Sequence, residues 1–211
     1  MDGFTSGKGA TDGAPEELKT GTTTVGIVAD DGVVLATDRR ASLGGRFVSN
    51  KSADKIIEVH PNAAITISGG VGDGQTFADQ LRAQSSLYET RRGDDMSMEA
   101  LASAAANTIR GMRVVPLLGG VDSEGPRLFE LDPLGGKMED TYGSTGSGMQ
   151  MAYGVLEGGY DEDLTMDEAE EVALDAIEAA SARDTASGNG AMVARITEEG
   201  IDTEEIDAEE I

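Results

Sequence analysis

Three threonines follow Gly21 and run straight into an apolar stretch, in "KTGTTTVGIVADDGVVLATDRR" from Lys19, within a chain that has no cysteine and one histidine. The missing cysteine excludes disulfides, thiolate metal sites and a thiol nucleophile. The single histidine, His60, stands beside Pro61 in a predicted turn, which excludes a histidine-based triad and a multi-histidine metal site. A hydrolase built on this chain needs a hydroxyl nucleophile and another base. An N-terminal threonine supplies both, because its hydroxyl and its own α-amino group share one residue. An α-amino group has a pKa of about 7.7–8.0 and can accept a proton near neutrality. It becomes free at Thr22 only if the Gly21–Thr22 bond is cut. A glycine suits that junction, since no Cβ obstructs a tight turn presenting its carbonyl to the Thr22 hydroxyl. Thr23 and Thr24 read as strand formers, their branched Cβ atoms packing well on a pleated surface.

The elements that must position such a site alternate in blocks. "TTTVGIVA" and "GVVLATD" are two strands joined by a "DDG" hairpin signal, and "KIIEV" and "AAITISGG" are a second pair around "HPN". Asp73 is placed to cap a helix through Phe77, Leu81 and Tyr88 to "RRG". A second helix from Ser97 aligns Leu101, Ala105, Ile109 and Met112. Strands "VVPLLGGVD" and "RLFELD" follow, then a strand and tight loop in "DTYGSTGSG", and a short helix from Met149 to Glu157. Thr165 and Glu168 form a capping box ahead of an apolar stripe of Ala169, Val172, Ala173, Ala176, Ile177 and Ala180. A last strand, "GAMVARITE", precedes the acidic tail "EGIDTEEIDAEEI", read as a frayed, solvated end. Consecutive hairpins with paired helices indicate an α+β chain with antiparallel sheets. Two sheets with amphipathic helices outside them make a four-layer α-β-β-α sandwich.

Forty acidic residues stand against sixteen basic ones, only five of them lysine, for a formal net charge of −24. Acidic charge spread over the whole chain suggests adaptation to high salt, where self-repulsion is screened. No basic patch exists to replace counterions on phosphates, so nucleic acid is not an expected partner. No apolar run approaches the roughly 18 residues of a membrane span. The first residues lack the apolar core of a secretory signal, and the chain reads as cytoplasmic.

In order along the chain, "TGTTTVGIV", "GVVLATDRRAS", "TISGGVGDGQ", "LGGVDSEGPRLFELDP", "STGSG", "AYGVLE" and "RDTASGNG" resemble the β subunits of archaeal 20S proteasomes, N-terminal-nucleophile hydrolases. The resemblance covers Lys19 to about Glu199. It implies a propeptide of residues 1–21 removed by autocleavage between Gly21 and Thr22, a hydrolase domain over residues 22–199, and an acidic tail over 200–211. By it Thr22 is the nucleophile of a threonine endopeptidase acting on unfolded proteins. Lys55, favoured over Lys51 because it directly precedes the apolar strand, matches the active-site lysine; its ammonium would lower the hydroxyl pKa, with Asp38 holding it charged and oriented. Gly69 matches the glycine whose N–H forms the oxyanion hole. Ser147, Asp184 and Ser187 match a polar shell around the free amine. Ala41, Ala53, Ile67 and Val71 match an apolar specificity pocket, implying cleavage after hydrophobic residues. The resemblance also implies seven-membered rings of β subunits between rings of α subunits, fed by an ATP-dependent unfoldase. The chemistry needs no metal or cofactor.

Two departures stand out. The "NTIRGMRVVPLLGGVD" segment is several residues shorter than the family's helix-to-strand connection, and Thr185 replaces a more usual serine. The competing readings are a bacterial two-ring peptidase or small-molecule amidase of the same nucleophile class, a catalytically silent structural ring subunit, and an acidic interaction module. The ordered "GGVD", "GSG" and "RDTASG" motifs argue against the first pair. The presence of Gly21, Thr22, Asp38 and Lys55 argues against the silent subunit, and the threonine junction is unexplained by an interaction module.

Overall fold

The structure is a computed structural model that describes residues 21–43 and 47–211; the reading of residues 1–20 as a flexible leader lies outside them. In chain order the strands are β1 (Thr23–Val28), β2 (Val33–Asp38), β3 (Ala41–Leu43), β4 (Phe47–Asn50), β5 (Ile56–His60) and β6 (Ala63–Thr66). Helices α1 (Val71–Arg92) and α2 (Met98–Thr108) follow, then β7 (Leu117–Asp122), β8 (Gly125–Leu131), β9 (Lys137–Asp140) and β10 (Tyr142–Gly146). Helices α3 (Met149–Gly159) and α4 (Met166–Ser181) lead into β11 (Ala191–Thr197) and β12 (Gly200–Ile206).

Two five-stranded antiparallel sheets result, ordered β10-β1-β2-β11-β12 and β5-β6-β7-β8-β9, with β3-β4 as a separate ribbon. The two-residue period of the strands sorts their side chains into three cores. Val33 and Leu35 of β2 meet Leu117, Leu128, Ala194 and Ile196 between the sheets. Val34 and Ala36 of the same strand point the other way, with Val25 and Ile27, onto Ala152, Leu156, Ala173 and Ile177 of α3 and α4. On the outer face of the second sheet, Ile65, Leu118 and Phe129 meet Phe77, Leu81 and Leu101 of α1 and α2. The layer order is therefore helices, sheet, sheet, helices, the four-layer α-β-β-α sandwich expected. Covering both faces of β1 and β2 explains why their sequences are nearly unbroken apolar and threonine runs.

Four expectations are corrected. Asp73 does not cap α1: the helix starts at Val71 after Gly70, and Asp73, in its first turn, accepts the Arg113 N–H at 2.8 Å. Strand β6 ends at Thr66, and the helix opens two residues after Gly69, where the chain makes an isolated bridge to Val114. Helix α2 stops at Thr108, so Met112 is carried by the turn through Gly111, whose φ is +79°, and not by a helical face. Strands β3, β4 and β9, absent from the sequence reading, are short, polar or exposed at one edge. The acidic tail is not frayed: residues 200–206 pair with β11 along its whole length. Ile201 and Ile206 reach inward on opposite faces while the glutamates face solvent, the charged edge that discourages pairing with another chain. Arg39, buried beyond the end of β2, adds an ion pair at 2.8 Å to Glu205.

Candidate active site

Thr22 lies at the entrance of β1, 3% exposed. Its neighbour β2 runs antiparallel and ends at Asp38, so the carboxylate falls beside the first residues of β1. Lys55 comes from the other sheet: it precedes β5, and its carbonyl takes the Ile67 N–H of the adjacent strand at 2.7 Å. The packing of the sheets brings the lysine to a threonine that is remote in sequence.

The contacts are dense. The Lys55 ammonium donates to Thr22 Oγ1, to Asp38 Oδ1 at 2.6 Å and to the Arg40 carbonyl at 2.6 Å. All three of its N–H groups are thus taken, as befits the charged form. Asp38, 0% exposed, receives five donors. Lys55, the Thr22 hydroxyl at 3.3 Å and the Thr23 N–H at 2.9 Å reach Oδ1. The Arg40 and Gly188 N–H groups reach Oδ2 at 3.0 and 2.9 Å. Burial pushes the Lys55 pKa below the ordinary lysine value, with the Asp38 charge and hydrogen bond opposing the shift. Lys51, the rival on sequence, is exposed.

A second polar chain closes the other side. The Thr22 N–H donates to Ser147 Oγ at 3.2 Å, and Ser147 donates to Asp184. Ser187 also donates to Asp184, at 2.7 Å. Its one proton being so engaged, it accepts from the Thr23 hydroxyl at 2.8 Å. Thr23 is therefore more than a strand former. The loop carrying Asp184 and Ser187 is clamped by Arg40, which donates to Asn189 Oδ1 at 2.9 Å and to the Thr185 carbonyl at 3.0 Å. Thr185 itself is exposed and takes part through its backbone. The connection read from the sequence as short falls after α2 and delivers Val114 to Gly69.

Gly69 has φ +118°, and a Cβ there would sit 2.3 Å from the Arg113 carbonyl oxygen, so only glycine fits. Ladder bonds flank it on both sides, Gly70 N–H to Arg113 at 2.8 Å and Val115 N–H to Ser68 at 2.9 Å. Thr22, Gly69, Ala41, Ala53, Ile67 and Val71 together line one cleft of about 470 Å³. Its walls also carry Asp54 and Gln75, polar groups that the sequence reading did not assign to it. His60 ends β5 next to Glu89 of α1, 3.2 Å away, and takes no part in the Thr22 cluster. Arg40, Ser42 and Ala186 are contacts that sequence reasoning missed; their only signal is their place inside "DRRAS" and "RDTASG". Among the described residues no helix is long and apolar enough to cross a membrane.

A family model described as Proteasome subunit matches residues 18–196. A proteasome subunit beta of Halorhabdus utahensis is 57% identical over 192 residues, spanning 90% of this chain and 82% of that one. One from Halomicrobium mukohataei is 57% identical over 187 residues, 87% and 79% of the two chains. A proteasome subunit beta 1 of Haloarcula marismortui is 54% identical over 196 residues, 92% and 82% of the two chains. These relatives come from halophilic archaea, in keeping with the net charge of −24. At that identity, over most of each chain, this protein belongs to the proteasome subunit family and is one of its β subunits.

Proposed function

We propose that the chain is a threonine endopeptidase that activates itself by cutting between Gly21 and Thr22. The observation that carries this reading is the Thr22 hydroxyl, buried against the Lys55 ammonium and the Asp38 carboxylate, one residue after a glycine and in the wall of the cleft.

In the uncleaved chain the Thr22 nitrogen belongs to a peptide bond and cannot act as a base. Lys55 in its neutral form, which the pKa lowered by burial brings closer, is the neighbouring group that can take the hydroxyl proton. Thr22 Oγ1 then attacks the Gly21 carbonyl carbon. The Gly21 C–Thr22 N bond breaks as the Lys55 ammonium returns to the nitrogen the proton that left the hydroxyl, leaving an ester and a free amine. Water hydrolyses the ester and releases residues 1–21. For peptide substrates the new amine, beside Ser147 and Asp184, takes the hydroxyl proton directly or through a water. Thr22 forms an acyl-ester with the substrate carbonyl as the scissile C–N bond breaks and the departing amine takes the proton held by the Thr22 amine. The Gly69 N–H donates to the oxyanion, and water deacylates the enzyme. One such donor contributes about 3–4 kcal/mol to the transition state. Ala41, Ala53, Ile67 and Val71 favour a hydrophobic side chain before the scissile bond. The hydrolase domain covers residues 22–199.

As a proteasome β subunit, the chain assembles into a core with other subunits. The finer reading has β subunits in seven-membered rings flanked by rings of α subunits, in the cytoplasm, with unfolded proteins delivered by an ATP-dependent unfoldase. The deciding experiment is the intact mass of the assembled particle in high salt, beside a Thr22→Ala variant. A chain beginning at Thr22 only in the parent supports the reading. Full-length chain in formed particles of both overturns it and returns the protein to the class of structural ring subunits.

A further inference from the structure

Gly21, the residue whose carbonyl is attacked, is held from two sides. Its N–H donates to Ser42 Oγ at 3.2 Å in a buried contact. Opposite lies Ala186: a Cβ on residue 21 would fall 1.7 Å from the Ala186 methyl and 2.9 Å from Ser42 Oγ. With its N–H pinned and its Cα wedged, Gly21 keeps only the rotation that turns its own carbonyl.

Ser42 is built for this place. It is the middle residue of β3 and 4% exposed, whereas Leu43 beside it faces solvent. Register between β3 and β4 slips by one residue between Ala41 and Ser42, leaving Ser49 as the extra residue. Its hydroxyl donates to the Ala41 carbonyl at 3.1 Å. Bulges of this kind twist a ribbon locally and re-aim a side chain, here into the protein toward the leader.

We propose that Ser42 is a positioning residue for removal of the leader, its hydroxyl fixing Gly21 so that the scissile carbonyl stays beside Thr22 Oγ1. Ser42 forms no bond to the reacting carbon and acts only through the Gly21 N–H. Since Gly21 departs with the leader, this contact is made only before cleavage, and afterwards Ser42 remains as part of the cleft wall. The inference rests on the reading of Thr22 as nucleophile and adds a residue to that step.

The test follows leader loss over time by intact mass in assembled particles of the full chain, as parent, Ser42→Ala, Ser42→Thr and Thr22→Ala. Parallel chains supplied with Thr22 already first are assayed for peptide turnover. Removing one hydrogen bond slows leader loss about three- to tenfold in Ser42→Ala. Ser42→Thr, which keeps the hydroxyl, restores it, and the fall in turnover of the pre-cut Ser42→Ala chain is smaller than the fall in leader loss. Leader loss at the parent rate in Ser42→Ala, or equal falls in both assays, overturns the role of Ser42 while leaving Thr22 in place. Failure of the parent itself to lose its leader would instead overturn the Thr22 reading.

Discussion

Replacing Asp38 by Asn removes one charge without changing the shape of the site. The carboxylate accepts on both oxygens: Lys55, Thr22 and Thr23 on Oδ1, Arg40 and Gly188 on Oδ2. An amide has only one oxygen. If it faces Lys55, the NH₂ group meets the Arg40 and Gly188 N–H donors; if it is flipped, the NH₂ group meets the ammonium. Either orientation orphans at least two buried donors, each at about 1–3 kcal/mol. Removing one partner of a buried ion pair costs about 3–5 kcal/mol. These terms overlap, so about 3–5 kcal/mol is the expected loss, a fall of roughly 10²–10⁴ in the steps that use Lys55. Lys55 shedding its proton adds to the fall in turnover alone, because the Asp38 charge and hydrogen bond are what oppose the burial shift. The assay is leader loss by intact mass together with kcat/KM on a fluorogenic peptide with a hydrophobic residue before the scissile bond, in particles of checked size. Lys55→Met completes a double-mutant cycle, and the pair must be strongly non-additive. Asp38→Asn particles that process and turn over within about threefold of the parent, or strict additivity in the cycle, refute the argument.

Three further outcomes are expected. Gly21→Ala places a methyl 1.7 Å from the Ala186 Cβ, so leader loss falls more than about tenfold, and Ala186→Gly recovers part of it; parent-like processing in Gly21→Ala would show that the wedge does not exist. Burial lowers the Lys55 pKa, so the cost of its charged form is fully present below the folded pKa and fades as pH rises through it toward the unfolded value of about 10.4. Leader loss, which needs neutral Lys55, should therefore rise with pH through that window. Peptide turnover, which needs the ammonium, should fall there above an acid limb set by the Thr22 amine, and alkaline limbs of the same sign in both assays would contradict the two roles. Glu205→Gln removes the ion pair to Arg39; with Glu205 56% exposed the loss is at most about 1 kcal/mol, read as about 2–4 °C in Tm. Truncation after Glu199, which strips all of β12 from β11, should cost clearly more than Glu205→Gln, and an equal shift would mean the strand adds nothing.

What was legible in the sequence follows from how local each signal is. The capping box of Thr165 and Glu168 and the stripe behind it involve residues within two turns, and α4 forms where they indicate. Strands β1 and β2 carry valine and threonine runs buried on both faces and are read from composition alone. Strand β12 is different, because its carboxylates imitate a solvated tail and only Ile201 and Ile206 hint at pairing. The start of α1 follows a bridge between Gly69 and Val114, a contact between distant segments that leaves no periodic trace. The same holds at the site. No spacing rule joins Thr22 to Lys55, which lie on different sheets; the ordered motifs pointed to the pair, and the packing of the sheets brings it together. Ser42 and Ala186 are small residues in polar loops, indistinguishable in sequence from turn formers until Gly21 is seen between them.

The contacts divide the site into two groups with different duties. Asp38 and Lys55 touch the Thr22 oxygen, which on the proposed chemistry attacks the leader once and each substrate afterwards. Ser42 and Ala186 touch Gly21, which on the same chemistry leaves in the first event. On the proposed chemistry, variants of the first group lose leader removal and turnover together, whereas variants of the second lose more of the former than of the latter. Ser147 lies between the groups, since its oxygen accepts the Thr22 peptide N–H and, on the proposed chemistry, stays beside the same nitrogen once it is an amine. Ser147→Ala should therefore slow both reactions while shifting the acid limb of turnover, because only in the cleaved chain does that nitrogen titrate. A Ser147→Ala acid limb that coincides with the parent's would mean the amine is not the base, and the proton of every turnover would have to pass through Lys55 instead.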